Sequence, residues 1–175
     1  MKRHTLLGRA AAVVALALAA ALTAGCAGYR VGSQLPPNVR RLYIPTVENL
    51  TGEPLIEDEI TRALIAEIQR DGALRIAPAE QADAVLRMRV RRFDLAPIAY
   101  RQGLRSEPDE YRLTLEASFV VTRAGSDAVV VEHPAARGEG TAMRTPDFSA
   151  AKRVALPIAA RDLARDVARK LVENW

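Results

Sequence analysis

The side chains best suited to chemistry are four arginines in one short run: Arg87, Arg89, Arg91 and Arg92, within "ADAVLRMRVRRFDLAPIAY". Guanidinium groups bind phosphate and carboxylate bidentately, so a spacing of two along a strand makes a face suited to an anionic ligand or partner. The same row also reads as a solvated sheet face whose charges pair across strands with Glu116 and similar groups. Nucleic acid fits poorly, because no aromatic residues interleave with the arginines to stack on bases. Other chemistry is scarce. His133 stands beside Pro134 in a strand-like segment, where a histidine is more often structural than catalytic. No Cys/His cluster offers metal ligands, "RGEG" lacks the strand-to-helix setting of a phosphate loop, and no serine or threonine pairs with a histidine base. The acidic triplet Glu57, Asp58, Glu59 cannot converge on an ion, since adjacent helical positions point about 100° apart. The chain is therefore not expected to be an enzyme, nor to carry a metal or cofactor.

Cys26 is the single cysteine, so it can form no internal disulfide. It follows a basic start (Lys2, Arg3, His4, Arg9), an apolar run from Ala10 to Ala24, and small residues at Ala24-Gly25. That is the layout of a secretory signal peptide. The run of about 15 residues gives roughly 22 Å of helix, short of the ~20 residues a bilayer core requires. Leu22-Thr23-Ala24-Gly25-Cys26 resembles the lipobox of bacterial lipoproteins, with Thr23 at a position usually held by leucine. The resemblance implies a lipid on Cys26 as the only covalent group. An ordinary secreted protein with an incidental Cys26 is the alternative. One acyl chain anchors only marginally, so firm attachment needs a multiply acylated cysteine. Removing residues 1–25 takes away Lys2, Arg3 and Arg9 and no acid, which lowers the net charge from +4 to +1. Whole-chain basicity thus says little about partners.

These groups need a scaffold. Residues 26–38, with Gly28, Gly32, Pro36 and Pro37, read as the lipidated cysteine and a short tether; residues 39–175 read as one domain. "VRRLYIPTV" predicts a strand that lies at an edge or ends at Pro45. "LIEDEITRALIAEIQRDG" predicts a helix with Ile56, Ile60, Leu64 and Ile68 on its buried stripe, acids in its first turns and Gly72 as its stop. "LRIAP" suggests a short strand. "ADAVLRMRVRRFDLAPIAY", "EYRLTLEASFVVT" and "AVVVEH" onward to about Met143 predict an antiparallel meander with one apolar and one polar face, the third strand broken at its glycines. A closing helix carries Leu156, Ala160, Leu163, Val167, Leu171 and Trp175 as a stripe, and Pro157 either kinks it or opens a second helix. The economical arrangement is α+β: a two-layer sandwich with two amphipathic helices packed on one face of a small mixed or antiparallel sheet. The arginine face stays open.

Gly28-Tyr29, Leu35-Pro36, Ile44-Pro45-Thr46-Val47-Glu48-Asn49 and Ile60-Thr61-Arg62-Ala63-Leu64 resemble, in type and order, the start of the lipopolysaccharide-assembly lipoprotein family of the LptE type. Ala82-Asp83, Glu110-Tyr111 and the terminal helix continue the similarity. The resemblance implies a lipid-anchored protein on the periplasmic face of the outer membrane. It also implies a 1:1 complex with a barrel of the LptD type, plugged by this chain, and passage of lipopolysaccharide to the cell surface. Ala27 suits outer-membrane sorting. The arginines as contacts for lipopolysaccharide phosphates are our reading of the residues. A periplasmic lipoprotein adaptor that activates a cell-wall synthase is the alternative. Such adaptors need a long tether, whereas residues 27–38 reach only about 40 Å when extended.

Overall fold

The computed structural model describes residues 36, 38–100, 108–126, 128–145 and 147–172. The expected signal peptide, Cys26, most of the tether and Trp175 lie outside them. Three long strands dominate: β4 (Ala84–Tyr100), β5 (Pro108–Arg123) and β6 (Val129–Met143). They form an antiparallel meander, with Met88 opposite Phe119 and Leu115 opposite Gly138. Three short strands extend it on the β4 side: β1 (Arg41–Tyr43), β2 (Glu48–Asn49) and β3 (Arg75–Ile76). β1 runs parallel to both β3 and β4, and β2 joins β4 further along, also in parallel. The sheet is therefore mixed, in the order β3-β1-β4-β5-β6. β1 sits between two neighbours rather than at an edge, and it ends at Tyr43, ahead of Pro45, whose nitrogen has no proton for a ladder.

Helix α1 (Glu57–Asp71) buries Ile60, Ala63, Leu64 and Ile68, and the predicted stop is real: Gly72 adopts φ +79° and donates its N–H to the Ile68 carbonyl at 3.2 Å. Helix α2 runs unbroken from Phe148 to Val172 with Pro157 inside it. The Asp147 carboxylate caps its start by accepting the Ala150 N–H at 2.7 Å. The two helices pack on each other, and with the apolar face of the sheet they enclose one core that includes Leu42, Leu86, Val90, Leu113, Leu115 and Leu163.

The glycines of β6 do not break it. A Cβ on Gly138 would lie 2.3 Å from the Ala159 carbonyl oxygen, and one on Gly140 would lie 2.4 Å from that of Ala155. Both positions are where the α2 backbone lies directly on the strand, so the glycines serve close approach, not a turn. The strand is irregular elsewhere: its register shifts between Ala136 and His133.

A basic groove on the open face of the sheet

The polar face carries the arginines. Arg87 and Arg89 follow the alternation of β4. The register then shifts: Val90 lies opposite Ala117 and Arg92 opposite Glu116, which leaves Arg91 as one extra residue, a β-bulge. The bulge reorients the run. Arg91 lines the same groove as Arg87 and Arg89, while Arg92 also meets the polar face, 3.8 Å from Glu116 and 2.8 Å from Asp94. All four arginines thus project on the open side, which strict alternation would not allow for neighbours in sequence.

The groove encloses about 400 Å³. Its floor is β5 (Ser118, Val120), one wall is Pro45, Thr46 and Glu48 leading into β2, and the other is Glu132 and Pro134 of β6. Arg87 donates to the Thr122 hydroxyl at 3.1 Å, and Arg89 donates to the Glu48 carboxylate at 2.7 Å. Arg91 has no hydrogen-bond or ion-pair partner among the described residues. The Arg89–Glu48 pair is more than half exposed on both sides, 64% and 55%, so it is exchangeable for an incoming anion at little cost. What this arrangement can do is grip an anion: one free guanidinium, a second held by a surface carboxylate, and hydroxyls at Thr46 and Ser118. Cross-strand pairing also occurs, at Arg92 with Glu116.

Sequence reasoning missed the groove's near wall. β2 is two residues long, too short for any periodicity to reveal, and its register against Arg89 and Val90 is what brings Glu48 to the arginines. The loop behind it is tied down by Asn49. Its side-chain oxygen accepts the Thr51 N–H at 3.0 Å and the Thr51 hydroxyl at 2.7 Å, and its amide nitrogen donates to the Glu53 carbonyl at 2.8 Å and the Glu57 carboxylate at 3.2 Å. Glu57 is held below the usual carboxylate range, chiefly by its own backbone N–H. Asn49 is thus a structural clasp. Asp83 is a second one: it accepts the N–H groups of Arg40 and Arg41 and pairs with the Arg41 guanidinium at 2.8 Å, fastening β1 to the start of β4. His133 packs against Phe119 with ring centroids 5.0 Å apart and the rings tilted by 35°, as a packed strand residue. Among the described residues no three His, Cys, Asp or Glu side chains converge on a metal position, and no helix is long and apolar enough to cross a membrane.

A mixed sheet with helices over one face and a basic groove in the other defines a two-layer α+β domain with one open face. The comparisons make the class particular. The chain belongs to the LptE lipopolysaccharide-assembly family, whose profile matches residues 39–173. That is a family of non-enzymatic lipoproteins. No curated protein sequence matches the chain. Among solved structures, the protein CT253 of Chlamydia trachomatis is similar at 9% identity over 78% of this chain and 99% of its own, with a TM-score of 0.50. The PelC dodecamer from Paraburkholderia phytofirmans matches at 18% identity over 83% and 92%, with a TM-score of 0.49. A minor lipoprotein from Acinetobacter baumannii matches at 14% identity over 75% and 91%, with a TM-score of 0.48.

Proposed function

We propose that this protein is an outer-membrane lipoprotein, acylated on Cys26, that seats within a barrel of the LptD type and helps it pass lipopolysaccharide to the outer leaflet. The observation that carries the reading is the family match, which spans the whole folded domain. Two features support it. The tether of residues 27–38, at most about 40 Å long, keeps the domain beside a partner in its own membrane. The groove of Arg87, Arg89 and Arg91 offers the donors that phosphate groups on the lipopolysaccharide core would take. In this role the domain does no bond chemistry; it occupies, orients and hands on.

The test is purification of the full-length, tagged protein from its native host in mild detergent, with mass spectrometry of what accompanies it. A stoichiometric, heat-modifiable outer-membrane barrel is the expected result. A cell-wall synthase in its place would make this an adaptor, and an unmodified Cys26 in the same spectra would remove the anchor.

A further inference from the structure

The charges of the open face fall into two sets. In one, Arg92 meets Asp94 at 2.8 Å and Glu116 at 3.8 Å, and Arg137 meets Glu139 at 2.5 Å, so each guanidinium already has its carboxylate. In the groove, Arg87, Arg89 and Arg91 share the walls with two carboxylates, Glu48 and Glu132. Glu48 pairs with Arg89, while Glu132 has no ion pair among the described residues.

Glu48 is placed by its backbone. Its register partner in the β2–β4 pair is Arg89 itself. On one side of it Val47 is buried and donates its N–H to the Thr61 hydroxyl at 3.0 Å. On the other, Leu50 donates its N–H to the Val90 carbonyl at 2.9 Å. The side chain is held far less firmly: Arg89 is its one partner among the described residues, and it is more than half exposed. A carboxylate tethered in this way competes at the high effective concentration of an intramolecular group, yet has water to swing into.

From this we infer that Glu48 is a built-in competitor, a resident anion that occupies Arg89 until a ligand phosphate displaces it. The ligand class follows from the exchange. A single carboxylate gains at Arg89 only what Glu48 gives up. A phosphate has further oxygens to place on Arg91, which has no partner among the described residues to surrender. In a domain proposed to hand its ligand on, such a competitor keeps the groove from holding that ligand permanently. The inference rests on the groove as the anion site of the proposed function and adds the residue that sets its affinity.

The test titrates inorganic phosphate into the full-length lipoprotein in nonionic detergent, with the arginine Nε–H resonances followed by NMR. Glu48→Gln should bind phosphate about two- to fivefold more tightly than wild type, the range an exposed ion pair allows. Glu132→Gln removes the same charge from the same groove but breaks no ion pair, and should bring a clearly smaller gain. In an Arg89→Gln background, Glu48→Gln should bring none. Equal gains from Glu48→Gln and Glu132→Gln would overturn the inference, since net charge alone would then explain both. A gain that persists without Arg89, or wild-type affinity in Glu48→Gln, would also overturn it; each of these outcomes leaves the groove an anion site. No phosphate binding by any of the proteins would overturn both the inference and the groove's part in the proposed function.

Discussion

The carboxylate of Asp166 accepts the backbone N–H of Arg137 at 3.0 Å, so a helix side chain stands where the next strand of the sheet would be. Asp162 does the same for Glu139 one helical turn earlier, and Lys170 supplies the matching donor to the Ala135 carbonyl one turn later. Three residues spaced by four on α2 therefore substitute for a strand along β6, and seal an edge that would otherwise template pairing with another chain. Burial opposes ionisation of Asp166, but Lys170, the Arg137 N–H and Arg169 outweigh it and hold its carboxyl below the usual range.

Removing this seal should weaken the fold and unmask the edge. Asp162→Ala/Asp166→Ala is expected to lower stability by about 2 kcal/mol, near 1 per lost hydrogen bond, since water replaces part of each bond at this exposed edge. Urea unfolding measures the first effect. Light scattering at rising concentration measures the second, and a variant as monodisperse as wild type would contradict the sealing role.

The contact of α2 with β6 should be intolerant of a single methyl group. Gly138→Ala places a Cβ against the Ala159 carbonyl and the Leu163 nitrogen, both backbone atoms that cannot step aside. A loss of about 3 kcal/mol is expected, at the upper end for overpacking. Gly52→Ala, with nothing within 4 Å, should change stability by less than about 0.5 kcal/mol. Thermal melts of the two variants side by side check the contrast.

Acid should act through Asp83. The Arg41 guanidinium, then the Arg40 and Arg41 N–H groups, hold its carboxyl far below the ordinary value. A group with a depressed folded pKa binds fewer protons in the native state than in the unfolded one. Its stabilisation is complete above the unfolded value of about 4 and fades as pH falls below that. Asp83→Asn should therefore be less stable than wild type at pH 7, with the gap narrowing toward pH 2. Denaturant midpoints across that range give the answer; a gap that stays constant would mean Asp83 acts through shape and not charge.

In the groove, Arg89→Glu should weaken lipopolysaccharide binding while leaving the fold intact. It places a carboxylate beside Glu48 on an exposed face, so the stability change should stay within about 1 kcal/mol. Arg91→Ala should weaken binding too, since Arg91 lines the groove and has no partner among the described residues to engage it. Losing one charge-assisted contact of about 1.5–2 kcal/mol corresponds to roughly a ten- to thirtyfold weaker dissociation constant. Binding of purified lipopolysaccharide to each variant, followed by fluorescence, decides; full binding by both would retire the groove as its site.

The layers of this fold were legible in the sequence because period 3.6 and period 2 both report burial directly. Ile60, Leu64 and Ile68 on α1, and Leu86, Met88 and Val90 on β4, lie in the core where their spacing put them. What periodicity could not convey was anything set by a single residue of register. Arg91 is extra by one, and that one residue decides how Arg91 and Arg92 share the open face. Glu48 reaches Arg89 only because a two-residue strand docks in parallel on β4. Gly138 and Gly140 look like breakers in a string of letters and prove to be contact points, because the helix that needs them is encoded further along.

The parallel docking of β1 also imposes a calendar on the chain. Leu42 is made early, yet both strands it pairs with, through Ile76 and Ala84, are made later, and β4 cannot settle until β5 has followed. The meander and α2 are joined by neighbours in sequence and can close quickly, whereas β1 must wait for distant pairing, which is slow. The first described strand to be synthesised thus pairs only with strands made after it, and until β3 and β4 exist its buried Leu42 has no neighbouring strand to cover it.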